Sequence, residues 1–123
     1  MPEFKPEVNL EDHYSSEIWF AMGVFEALCR TMYGVRSVIT SLNDGKHKVG
    51  SKHYACRAFD ARVKNLDKNP ADLSAEDRVR GRAIYQQMRD ILDPIGFDTV
   101  FEGDHIHCEW DPKVGEAFWG RTP

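Results

Sequence analysis

TVFEGDHIHCEW, residues 99–110, reads as two strands folded back on one another. Thr99 to Glu102 and His105 to Trp110 supply the strands, and Gly103-Asp104 is a two-residue turn signal. Residues two apart on a strand face the same way, so His105 and His107 are expected on one side and Ile106 and Cys108 on the other. A second extended stretch, YACRAFDARV from Tyr54 to Val63, alternates in the same manner. It sets Ala55, Arg57 and Phe59 against Cys56, Ala58 and Asp60. Asp60 then projects from a face of small apolar residues, where a lone carboxylate costs several kcal/mol and calls for a cation, either a metal or an arginine.

Around these strands the chain offers two helices. Pro2 and Pro6 keep the first residues extended, and the polar stretch to Tyr14 reads as an N-terminal arm. Ser15 or Ser16 caps a helix reaching about Tyr33, with Ile18, Trp19, Met22, Phe25, Ala27, Leu28, Cys29 and Met32 as its apolar stripe. Gly34 terminates it, and Val35 to Leu42 is β-branched enough to read as a strand. Asn43-Asp44-Gly45 is a turn that opens the loop Lys46 to Lys52. After a surface connection containing Asn69-Pro70, Ser74 to Asp77 resembles a capping box and opens a helix to about Leu92. Val79, Ala83, Ile84, Met88, Ile91 and Leu92 are its expected buried stripe, and Asp93-Pro94 ends it. Phe118 and Trp119 are enough apolar surface for the tail to dock.

A chain of 123 residues with 41% hydrophobic and 29% charged content is expected to fold as a single domain spanning 1–123. Sixteen basic against twenty acidic residues give a net charge of −4, which argues against nucleic acid as a partner. No apolar run is long enough for membrane insertion, and Met1 to Leu10 lacks the apolar core of a signal peptide. The expectation is synthesis in the cytoplasm. Cys29, Cys56 and Cys108 fit no disulfide or zinc-ribbon spacing and are read as buried small hydrophobes.

His53 and Asp60 lie seven positions apart, and His105 and His107 stand on an apolar background with Asp104 just ahead. Two imidazoles and a carboxylate, with one coordination position open, are what a catalytic zinc site requires. His13 and His47 read as surface residues.

Ser51-Lys52-His53-Tyr54-Ala55-Cys56-Arg57-Ala58-Phe59-Asp60 resembles the S-x-H-x-x-G-x-A-x-D signature of D-Ala-D-Ala carboxypeptidases and L-alanyl-D-glutamate endopeptidases. These belong to a wider zinc group that includes lysostaphin and the hedgehog signalling domain. The resemblance implies an α+β fold, a small antiparallel sheet backed by two main helices. It also implies Zn2+ held by His53, Asp60 and His107, and Ser51 as a hydrogen-bond partner behind the ligands. Asp104, three positions before the last ligand, matches the family's general base. Asp104 is an odd number of residues from His107, so it reaches the site only from the turn, and His105 is the alternative base.

Two positions depart from the family pattern. Cys56 replaces a glycine, and the family's substrate-binding arginine is not found in Thr40 to Asp44, which leaves Lys46, His47 or Arg57 to stand in for it. The function implied is a zinc-dependent peptidase cutting amide bonds in bacterial peptidoglycan stem peptides, as a carboxypeptidase or an endolysin-type endopeptidase. Such an enzyme would act at the cell wall after release or from a virus particle, with a separate delivery or wall-targeting partner. The competing expectation is a zinc-containing binding or structural module without activity, for example a virion component.

Overall fold

The computed structural model describes residues 2–6, 8, 10, 14–42, 57–63 and 75–112. Lys46, His47, Ser51, His53 and Cys56 lie outside the described residues, as do His13, the Asn43-Asp44-Gly45 turn, Asn69-Pro70, the Ser74 cap, Phe118 and Trp119.

Among the described residues five strands form one sheet: β1 (Glu3–Phe4), β2 (Val38–Ser41), β3 (Ala58–Arg62), β4 (Phe97–Phe101) and β5 (His105–Trp110), in the order β1-β2-β3-β5-β4. Two helices, α1 (Ser16–Leu28) and α2 (Ala75–Leu92), complete an α+β fold. The four longer strands are antiparallel, as expected. The sheet as a whole is mixed, because β1 joins β2 in parallel and turns the first residues of the expected arm into an edge strand. Arg36 fastens that edge by gripping both carboxylate oxygens of Glu3, at 2.8 and 3.2 Å. None of the described helices is long and apolar enough to cross a membrane.

Ser15 begins α1 with an extended backbone, and its hydroxyl accepts the N–H of Ile18 at 3.2 Å. The helix widens into a π-helical turn over Cys29–Tyr33 and stops at Gly34, whose φ of 62° a residue with a Cβ adopts at a cost. Ile18, Ala21, Met22, Phe25 and Cys29 are buried, whereas Trp19 stays 37% exposed at the rim of the predicted stripe.

The buried face of α2 is Asp77, Gly81, Ile84, Met88 and Leu92. Val79 and Ile91, expected inside, are exposed, and Val79 sits about 200° around the helix from both Asp77 and Gly81. Asp77 tolerates its position because the Arg80 guanidinium meets it at 2.8 Å. Gly81 is required by proximity: a Cβ there would stand 2.7 Å from Cβ of Val63, just past the end of β3. Both helices cover one face of the sheet, with α2 against β4 and α1 against β3 and β5. Phe25, Phe59, Phe97, Ile106 and Met88 are buried between the layers, each worth about 1.5–3 kcal/mol.

Past α2, a short 3-10 turn (Asp93–Ile95) brings the Asp93 carboxylate to accept the Thr99 N–H at 3.1 Å. Burial pushes the Asp93 carboxyl up to about 6 from its ordinary 3.8, against the opposing pull of that hydrogen bond.

Gly81→Ala should therefore destabilise the fold by about 1–3 kcal/mol despite alanine's better helix propensity. Val63→Ala in the same chain should recover part of the loss. Chemical denaturation of the single and double variants checks this, and strict additivity would mean that the two residues do not meet. For Asp93, the folded chain holds between about pH 4 and 6 a proton that the unfolded chain releases, so stability falls as pH rises through that window. Asp93→Asn keeps the acceptor for Thr99 and should be more stable than the parent above about pH 6, by on the order of 1 kcal/mol for this partly screened group. The two proteins should melt alike in urea below about pH 4, and a gap that persists there would point to another cause.

Candidate functional site

The face of the sheet away from the helices carries the polar residues. In β3 Phe59 and Ala61 go to the core, which leaves Asp60 and Arg62 on the opposite face. In β5 Ile106 and Cys108 are fully buried, so His105, His107 and Glu109 share the face of Asp60. Antiparallel pairing then fixes partners: Asp60 stands opposite His107, and Arg62 opposite His105. Beside Asp60 the register of β2 slips by one residue between Ile39 and Ser41. Thr40 is the extra residue of this bulge, and its hydroxyl donates to the Asp60 carbonyl at 3.3 Å.

Asp60 and His107 are brought into direct contact. Nδ1 of His107 lies 3.0 Å from Oδ1 of Asp60, and Nε2 on the far side of the ring lies 3.4 Å from a Glu109 carboxylate oxygen. Burial works against the imidazolium, but the Asp60 carboxylate, aided by Glu109 and Glu102, outweighs it and holds His107 above its ordinary pKa.

Asp104 occupies the hairpin turn, next to Gly103 with its φ of 87°, so it escapes the strand alternation that would have turned it away. Its Oδ1 lies 2.6 Å from Nδ1 of His105. With the carboxylate accepting, Nδ1 donates to it, and Nε2 is left for other partners. That Nε2 is 3.5 Å from Glu102 and 3.9 Å from Oδ1 of Asp60. Asp104, His105, Asp60, Arg62, Thr40 and Lys5 together line a cavity of about 200 Å³.

Arg57 does not join this group. It precedes β3 at an odd spacing from Asp60, is exposed, and its carbonyl accepts the N–H of Trp110. Cys108 is sealed in the core, where burial pushes its thiol far above the ordinary range, so it is neither nucleophile nor ligand. Cys29 is likewise buried and pushed up to about 12.

The donor chemistry suits a borderline cation such as zinc: an imidazole nitrogen and a carboxylate oxygen face each other. Neighbouring ligand atoms around a tetrahedral ion with bonds of about 2.0–2.1 Å stand roughly 3.3 Å apart, close to the separation of Asp60 and His107. A Glu109 carboxylate oxygen lies 3.4 Å from the other ring nitrogen, on the side where carboxylates stand behind metal-binding histidines. No group of three His, Cys, Asp or Glu is arranged to hold a metal among the described residues. The third expected ligand, His53, lies outside them.

Arg62, Glu109, Lys5 and Thr40 were not singled out by the sequence. Arg62 and Glu109 follow Asp60 and His107 at a spacing of two, so strand alternation does point to them. Lys5 and Thr40 arrive through β1 and β2 pairings that local sequence does not announce.

Were Asp60 and His107 to hold zinc, Glu109→Ala would loosen its binding by about 10–100-fold, measured by chelator competition, while the fold remains. Unchanged affinity would show that the carboxylate does not orient His107.

Compared with protein-family models, with curated proteins and with solved structures, the chain matches none.

Proposed function

We propose that the chain is a zinc-dependent peptidase of the hedgehog/DD-peptidase type, hydrolysing amide bonds in bacterial peptidoglycan stem peptides. One observation carries the reading. Asp60 and His107, 47 positions apart in the chain, meet at 3.0 Å on the sheet face away from the helices, where both are part-buried. They are the residues that the S-x-H-x-x-G-x-A-x-D resemblance and the D-x-x-H spacing of Asp104 and His107 name as ligands.

Asp60, His107 and His53 would hold the ion. When bound, it supplies Lewis acidity to the scissile carbonyl and makes water nucleophilic at neutral pH. The chain's own part is proton traffic and orientation. Asp104 fixes the His105 ring through Nδ1 and leaves Nε2 facing Asp60, so the pair is placed to take a proton from water and return it to the leaving amine. Lys5 and Thr40 form part of the cavity wall. Delivery to the wall, by release at lysis or from a virus particle and with a targeting partner, belongs to the same proposal.

The test is zinc analysis of the purified protein, followed by mass spectrometry of peptidoglycan incubated with it. Asp104→Ala should lower hydrolysis by about 100–10,000-fold with zinc retained. His105→Ala should do the same if the proton passes through Nε2, and much less if the Asp104 carboxylate takes it directly. Stoichiometric zinc without any cleavage would favour the inactive binding or structural module, and a protein that binds no zinc would end the hydrolase reading.

A further inference from the structure

We infer that α2 carries a second binding surface, a row of arginines that holds a phosphodiester-linked polyol chain of the bacterial wall. The inference rests on the peptidoglycan reading above and adds to it: delivery brings the protein to the wall, and α2 keeps it there.

At about 100° and 1.5 Å per residue, Arg78, Arg82, Tyr85 and Arg89 fall within about 60° of one another on α2 and extend along roughly 16 Å of it. Aromatic neighbours brace the row. The Arg82 guanidinium lies 5.0 Å over the Phe101 ring and that of Arg89 lies 5.7 Å over Tyr85, while the two rings stand 5.8 Å apart. A guanidinium stacked by its face keeps its N–H edge for an anion, and less freedom is lost when the anion arrives.

The acids of α2 leave most of this row unmatched. Glu76 and Asp77 pair with Arg80, at 3.3 and 2.8 Å, and Asp90 stands 3.9 Å from Arg89. Among the described residues Arg78 and Arg82 have no carboxylate partner. Four residues apart, they repel each other, and their place in the first half of the helix opposes its dipole. A ligand with one negative charge per repeat relieves both penalties. The net charge of −4 is no obstacle, because exposed charges more than about 8–10 Å away are largely screened in physiological salt.

Beside the row, Val79 is 68% exposed and joins Ala83, Gln86, Arg78 and Arg82 in lining a cavity of about 340 Å³. Methyl groups for a carbon backbone, an amide for hydroxyls and arginines for phosphate together match a polyol phosphate. Nucleic acid also carries one phosphate per unit, but its bases need open aromatic faces. Tyr85 and Phe101 are packed against the core and covered by Arg89 and Arg82. α2 lies on the helix-covered side of the sheet and the Asp60 site on the other, so a polymer held by α2 leaves that site clear.

The experiment sediments the full chain with purified walls, either intact or freed of phosphodiester polymers by hydrofluoric acid. Intact walls should bind it at least about 5-fold more tightly, and added salt should weaken that binding. The double variant Arg78→Gln with Arg82→Gln should bind intact walls about 5–30-fold less tightly. Arg78→Lys with Arg82→Lys should keep most of the affinity. The Gln variant should melt no lower than the parent, since a repulsion is removed. Cleavage of a soluble stem peptide should be the same in all three proteins. If no peptide is cut, yet binding still requires both the polymer and the arginines, the surface stands and the peptidase reading falls. Equal binding to intact and stripped walls overturns the inference, and that comparison needs no variant to fold. So does a Gln variant that binds intact walls as the parent does, or a parent that prefers a single-stranded oligonucleotide or anionic lipid vesicles to the intact wall.

Discussion

The register between β3 and β5 fixes the fold and the candidate site together. Because each strand turns successive side chains to opposite faces, the pairing of Asp60 with His107 obliges Phe59 and Ala61 to join Ile106 and Cys108 under the helices. A slip of β5 by one residue would drive His105, His107 and Glu109 into the apolar layer, and a slip of β3 would drive Asp60 and Arg62 there. The stability of the core and the alignment of the polar face therefore rest on one set of backbone hydrogen bonds, and the free energy that excludes the wrong register is mainly that of burying Phe59 and Ile106.

Much of this was legible because it is local. Hairpin alternation, the Ser15 cap, the stop at Gly34 and the turn at Gly103-Asp104 each depend on residues within a few positions of one another. The misplacement of Val79 and Ile91 has a different origin. Apolar residues around α2 are compatible with more than one stripe, and the choice was made by tertiary terms: a glycine small enough to meet Val63 and an arginine able to neutralise Asp77. The parallel pairing of β1 is a contact across more than thirty residues with only two residues per strand to signal it. Arg57 attracted notice for its charge, yet parity favours Arg62, and parity is visible only once the strand boundaries are known.

Polar groups on the face away from the helices are arranged as linked pairs rather than as scattered charges. Asp60 with His107, Glu109 behind His107, and Asp104 with His105 each match a carboxylate to an imidazole. The hairpin contributes one pair from its regular strand and one from its turn, so Gly103 lets the same short segment present side chains in two directions. Whatever ligand that face receives meets groups whose orientations are already set, which reduces the ordering cost of binding.

Among the described residues the sheet ends at β4, whose outer rim would ordinarily offer a row of unmatched amides to any extended chain that came near. Asp93 reaches around from the end of α2 and occupies the Thr99 amide in the middle of that rim. A foreign strand laid along β4 would have to displace a negatively charged side chain to complete its ladder. The kink between helix and strand thus acts as a stopper that keeps the sheet from growing into its neighbours.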